Sequence, residues 1–255
     1  MQSCGEFCSS RLTVGEGVKN RACPRSDFVY MAPPFIAYYA ASTNDLGTLQ
    51  KAVDQCTLYR QILKSTNGAW AHIVGGSYPD SGLWSTGNAW AAAGMTRVLA
   101  TVMKAPIANS DDTWKGQASA DLSRYIQEIL DAALGAPTAD GLLINYWNDA
   151  ANRDGLGFGE TSGTSLLAYV AYRMAVMRPA GLSQQKASSY VAWADQVKKT
   201  LGGHVTSTGV VGPAADPNDP RNPKPDTSGS AEGQSIVVLM YAAWRDCVSA
   251  GICSA

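Results

Sequence analysis

The chain has 255 residues, 45% of them apolar and 16% charged, with a formal net charge of -1. That is apolar enough for a sizeable core, while the charged share falls below the usual value of about 25%. No run of Lys or Arg occurs, so nucleic acid and anionic membrane, which both need concentrated cations, are excluded as partners. No apolar stretch approaches the roughly 18 residues that span a bilayer; the longest, Ser235 to Trp244, suits a buried helix. Neutral sugars and uronic acids remain open as ligands.

Seven helices follow from periodicity and capping residues. The first runs from Asp27 to about Ala41, with a kink expected at Pro33-Pro34. Asn44 is expected to cap a second, whose Leu46, Leu49, Val53, Cys56 and Leu63 form one stripe. A third spans about Ser85 to Val102. A fourth opens at Ser110-Asp111-Asp112 and aligns Trp114, Ala118, Leu122, Ile126, Ile129 and Ala133. The fifth covers about Ser162 to Met177, the sixth is capped by Ser183 and ends near Leu201, and the seventh spans about Ser230 to Val248. Between the last two, Pro213 to Ser230 reads as a long surface loop.

These helices alternate in character. The first, third, fifth and seventh are apolar nearly all round, as in Ile236-Val237-Val238-Leu239-Met240, and a helix apolar on every side belongs inside. The second, fourth and sixth carry one apolar stripe and a polar back, as in Asp121-Leu122-Ser123-Arg124. An inner ring wrapped by an outer ring, repeating every 60–70 residues or so, describes an all-α, (α/α)6-type toroid formed as a single domain over residues 1–255. Seven helices do not close a twelve-helix ring, and the segment before Asp27 reads as loop. The expectation is an incomplete ring whose amino-terminal hairpins are missing.

Six cysteines fall as Cys4, Cys8 and Cys23 near the start, Cys56 alone, and Cys247 with Cys253 at the end. With only His72 and His204 available, disulfides are favoured over zinc, and no metal or cofactor is expected. Cys56 sits at a core-like spacing and reads as a buried thiol. The disulfide reading implies an extracellular protein, although Met1-Gln2-Ser3-Cys4 does not open a signal peptide.

In such a ring the amino-terminal ends of the inner helices share one mouth. Those ends are Ser26-Asp27, Trp84 to Asn88, Glu160 to Gly163 and Ser230 to Gln234. Capping explains Ser, Thr, Asn and Glu at such places without any catalysis. Asp27 differs because Phe28, Val29, Tyr30 and Met31 follow it directly, a setting that raises a carboxyl pKa toward that of a general acid. Trp70, Trp84 and Trp90 surround His72, and an indole offers a flat face to a pyranose; Trp193 and Trp244 read as core. No Gly-x-Ser-x-Gly elbow is present, and Gly155 to Gly159 lacks the setting of a dinucleotide loop.

The run Ser26 to Phe35 resembles the Asp-x-x-Tyr-Met-x-x-Pro-Phe signature of the unsaturated glycuronyl hydrolases, glycoside hydrolase families 105 and 88. Leu83 to Trp90 is similar to their Trp-x-Arg-x-Asn-Gly-Trp segment, and Glu160 to Ser165 and Glu232-Gly233-Gln234 resemble two later segments. The resemblance implies an (α/α)6 barrel that hydrates the 4,5 double bond of a terminal unsaturated uronic acid. Asp27 would then be the general acid, with Met31, His72, Trp84, Thr86, Asn88 and Trp90 in contact with substrate. Thr86 stands where the family has arginine, Arg25 where it has an aromatic, and the family's second functional aspartate would precede residue 1. An oligosaccharide is the implied partner and a monomer the implied state. Two alternatives stay open: an ordinary glycosidase or polysaccharide lyase on the same barrel, which for a glycosidase requires Asp27 to face Asp80 or Glu160, and a non-catalytic sugar-binding remnant.

Overall fold

The computed structural model describes residues 23–255, and Cys4 and Cys8 lie outside them. The helices follow in order as α1 (Phe28–Met31), α2 (Pro33–Thr43), α3 (Leu46–Leu63), α4 (Ser85–Lys104), a 3-10 turn (Pro106–Ser110), α5 (Asp112–Leu134), α6 (Thr161–Met177), α7 (Gln184–Gly202) and α8 (Ala231–Ser249). One hairpin, β1 (Thr138–Ala139) with β2 (Leu142–Leu143), lies between α5 and α6.

The expected kink is a break at Ala32, where two prolines restart the helix as α2. Asn44 does not cap α3. It closes α2 in the left-handed conformation, φ 56°, and Asp45 caps α3 by accepting from Thr48 N–H at 3.0 Å. Asx residues serve both purposes, and two adjacent ones leave the choice to backbone geometry. Asp111, Ser183 and Ser230 cap α5, α7 and α8 as expected.

The α1/α2 pair, α4, α6 and α8 pack successively against one another, and α3, α5 and α7 lie behind α2, α4 and α6. This is the inner and outer ring of an α/α toroid, present as an arc among the described residues. The middle two inner helices are buried all round over their first two turns. The end ones are not: Phe35 on α2 and Val238 on α8 are each 68% exposed. Burial on every side needs a neighbour on every side, and the ends of the arc have only one inner neighbour among the described residues.

Close approach of the inner helices rests on glycine. The third residue of α4, α6 and α8 is Gly87, Gly163 and Gly233 in turn. A Cβ there would lie 2.5 Å from Ser26 Oγ, 2.5 Å from Ser85 Oγ and 3.0 Å from Ser162 Oγ respectively, each serine belonging to the preceding inner unit. One contact, repeated three times, draws the amino-terminal ends of the inner helices together. Loops from the outer helices pair at the same end: Ser26 N–H donates to His72 O at 3.0 Å, and Ser85 N–H to Asn145 O at 2.8 Å.

The expected disulfide at the end of the chain joins Cys247 to Cys253, and Cys56 is a fully buried thiol in α3. No helix among the described residues is long and apolar enough to cross a membrane.

Candidate active site at the mouth of the arc

Asp27 occupies the N-cap position of α1 but caps nothing, because its backbone is already helical (φ -64°, ψ -30°) and its carboxylate accepts no helix N–H. The carboxylate instead accepts from Arg25 Nε at 3.1 Å. Arg25 is the family departure noted above, and it turns out to be the ion-pair partner of the candidate acid. Its Nη2 also stands 3.5 Å from His72 Nε2.

His72 is buried, and its Nδ1 lies 2.9 Å from Asp80 Oδ2. Asp80 is held from every side: Tyr146 Oη donates at 2.6 Å, Gly82 N–H at 3.0 Å and Arg221 Nη1 at 3.3 Å. Burial acts to raise the Asp80 pKa, but the hydrogen bonds from His72, Tyr146 and Gly82 overcome it and hold the carboxyl well below the usual range. An ionised Asp80 accepts only, so the network assigns the His72 proton to Nδ1 and leaves Nε2 as an acceptor toward Arg25. Arg221 comes from the long loop after α7, which therefore reaches the mouth. Asp80, Tyr146 and Arg221 gave no signal in the sequence as partners of a histidine.

Trp84 packs its indole on the His72 ring, centroids 4.6 Å apart, and Tyr30 lies 4.4 Å from Trp90. Both indoles are mostly buried, at 3% and 9% exposure, so the open sugar platform expected of them is limited to edges. The turn they bracket is the first turn of α4, where neighbouring helices cover them. Thr86 and Asn88 are buried too. Asn88 is bonded entirely to backbone, accepting from Trp70 N–H at 2.7 Å and donating to the Trp70 and Trp84 carbonyls. Thr86 Oγ1 donates to Glu160 Oε1 at 3.0 Å. Met31 lies outermost on α1, more than half exposed.

Two further carboxyls sit at inner-helix ends. Glu160 is fully buried and caps α6, accepting from the Ser162 and Gly163 N–H groups at 2.7 Å each. Burial pushes its pKa up to about 7 against those hydrogen bonds. Glu232, in the first turn of α8, accepts from Trp90 Nε1 at 3.0 Å. Burial raises its pKa, the Trp90 bond opposes that, and the charge of Asp27 raises it further. Asp80 and Glu160 are each held by hydrogen bonds of their own, so neither is a second free carboxylate beside Asp27. In sequence Glu232 is open both to capping and to the resemblance of Glu232-Gly233-Gln234 to the hydrolase segment, and its contact with Trp90 is visible only in the structure. Among the described residues no cluster of His, Cys, Asp and Glu suits a metal ion. An open concavity of about 660 Å³ bordered by Tyr38, Arg97, Lys104, Tyr169 and Arg173 includes none of the candidate site residues.

No family model matches the chain, and no curated protein matches it. Solved structures do. A possible member of the GH105 family from Salmonella enterica superposes with a TM-score of 0.70 at 16% identity, over 91% of this chain and 59% of that one. The chain has the α/α-toroid fold of these structures, present as an arc among the described residues. A polysaccharide lyase aligns with the same TM-score and identity over 91% of this chain and 63% of its own. The unsaturated glucuronyl hydrolase of Bacillus sp. GL1, described as responsible for the degradation of glycosaminoglycan, gives 0.68 at 13% identity, over 90% and 60%. The chain thus spans less than two thirds of the length of these six-hairpin relatives in structure. The arc of inner and outer helices is the part of the six-hairpin fold that it shares with them.

Proposed function

We propose that this chain carries the catalytic carboxylate of an extracellular, monomeric glycoside hydrolase that hydrates the 4,5 double bond of an unsaturated uronic acid at the end of a lyase-generated oligosaccharide, pectin fragments included. The observation that carries this reading is Asp27 itself. Its carboxylate is released from capping and paired with Arg25, whose guanidinium also reaches His72, the ring on which Trp84 packs. The resemblance of Ser26 to Phe35 to the unsaturated glycuronyl hydrolases and the shared fold support the same reaction. A proton delivered to C4 generates an oxocarbenium ion at C5, water adds there, and the resulting hemiketal opens to expel the neighbouring sugar. Arg25 beside the site suits a substrate that carries a carboxylate.

The test is turnover of unsaturated uronyl disaccharides, followed as loss of absorbance of the conjugated double bond. Asp27→Asn is expected to lower kcat about 100-fold or more, as removal of a general acid–base group does. Unchanged turnover in that variant rejects the reading.

An ordinary glycosidase is the second reading: Glu232 supplies a further carboxyl in the first turn of an inner helix, and such enzymes use two carboxyl groups flanking one bond. Saturated aryl uronides separate the two: release of the aryl group without any preference for the unsaturated sugar supports the glycosidase.

A further inference from the structure

Three short stretches of chain meet beside Asp27. Arg25 pairs with Ile73 in an isolated antiparallel bridge, and Ile73 pairs in turn with Asp80. Val74 N–H donates to Pro24 O at 3.1 Å and Ser26 N–H to His72 O at 3.0 Å, while Ile73 and Asp80 exchange backbone bonds of 2.8 and 3.0 Å. On this ladder a row of side chains is strung. Asp80 Oδ2 accepts from His72 Nδ1 at 2.9 Å, His72 Nε2 from Arg25 Nη2 at 3.5 Å, and Asp27 Oδ1 from Arg25 Nε at 3.1 Å. Because ionised Asp80 only accepts, the His72 proton is held at Nδ1 and Nε2 offers a lone pair to the guanidinium. Arg25 is thus gripped at two of its N–H groups. Its guanidinium takes no further acceptor among the described residues, and the side chain is 47% exposed. Nη1 and the other Nη2 proton stay open, in the plane of a fork whose shape matches a carboxylate.

We propose that Arg25 receives the carboxylate of the substrate and selects a uronic acid over a neutral sugar, and that Asp80 is a positioning residue that aims Arg25 through His72. The assignment rests on the hydration reading above and leaves the proton donor's role with Asp27. In an unsaturated uronic acid the carboxylate hangs on C5, and the carbon to be protonated, C4, is its neighbour. One guanidinium that holds both Asp27 and the substrate carboxylate therefore sets the acid beside the carbon it serves. Thr86 offers the substrate no charge in its place, since it is buried and donates to Glu160. Arg221 closes the far end of the row, with Nη1 3.3 Å from Asp80 Oδ1, so the long loop after α7 braces the residue that orients Arg25.

The experiment compares an unsaturated uronyl disaccharide with its methyl ester, which keeps the ring and loses the charge. The native protein is expected to prefer the acid in kcat/KM by about 10- to 100-fold, the scale of a hydrogen-bonded charge pair. Arg25→Gln should abolish that preference by weakening the acid alone, with the ester changed less than about 3-fold, and Arg25→Lys should restore part of it. Asp80→Asn should narrow the preference about 3-fold or more in protein that remains folded, whereas a merely structural role lowers acid and ester alike. An acid-to-ester ratio in Arg25→Gln equal to the native one overturns the assignment of Arg25, and an unchanged ratio in folded Asp80→Asn overturns that of Asp80. If the native protein shows no hydration, the function above fails on its own. Equilibrium binding of the same two compounds then decides, by the same ratios, and absence of binding of the acid to the native protein rejects the proposal.

Discussion

Thr86 Oγ1 donates to Glu160 Oε1 at 3.0 Å, joining the first turns of α4 and α6 through a carboxyl that has no access to solvent. The arrangement ties a polar lock between two inner helices to the protonation of one acid.

Stability should therefore fall as pH rises through that acid's range. The folded pKa of Glu160 is raised from 4.5 to about 7. Between those values the native chain binds more protons than the unfolded one, and its advantage shrinks as pH increases. The loss across the window is at most about 3 kcal/mol at 1.36 kcal/mol per pKa unit. Glu160→Gln should remove the slope while lowering stability at pH 4.5 by about 1 kcal/mol, since an amide caps less well than a carboxyl. Urea melts at pH 4.5 and 7.5 check both statements, and a slope that persists in the variant contradicts them.

Gly94→Ala should cost about 3 kcal/mol, at the upper end for overpacking. A methyl group at this point of α4 collides with the Val29 carbonyl and with the backbone of Tyr30 in α1, neither of which can rotate away. Ala at Gly116, on outer helix α5 with open space around it, is expected to be neutral or stabilising. Paired thermal melts make the comparison, and equal Tm changes for the two contradict it.

Asp80→Asn should reorganise His72. The charged carboxylate supports His72, Tyr146, Gly82 and Arg221 together, and its loss should lower stability by about 2 kcal/mol near neutral pH, the scale of hydrogen bonds to a charged group. Because the folded pKa of Asp80 is depressed, its contribution is complete above the unfolded value of 3.8 and declines as pH falls below that. Only two histidines are present, so ¹⁵N spectra resolve the tautomer directly. The native ring should carry its proton on Nδ1, and the variant should lose that preference.

Reducing the Cys247–Cys253 bond should lower stability by about 2 kcal/mol, the small value appropriate to a short closed loop. Cys56 should stay unmodified by thiol reagents until the chain unfolds, since burial pushes its pKa up to about 12. Rapid labelling of Cys56 in the native state contradicts its placement in α3.

The toroid was legible because alternating all-apolar and one-striped helices leave few other ways to bury their surface, and Asp111, Ser183 and Ser230 marked starts correctly. The cap of α3 was misplaced by one residue, since Asn44 and Asp45 both satisfy the same rule and only the left-handed turn at Asn44 separates them. Of the site, Asp27 and His72 stood out by their neighbours in the chain. What supports them did not: Arg221 meets Asp80 across 141 positions, and Trp90 meets Glu232 across 142. Periodicity carries no information about such pairs. Trp84 and Trp90 gave the opposite difficulty, because an indole beside polar residues in sequence is equally compatible with a covered helix start.

The serine-to-glycine nesting at Gly87, Gly163 and Gly233 has a consequence for how this architecture can diversify. Aperture width is set by serine hydroxyls seated on bare glycine main chain, so the rim can exchange its lining side chains one position away without dilating. A single methylene at any of the three joints would act as a shim, splaying the staves of the barrel and misaligning everything they hold.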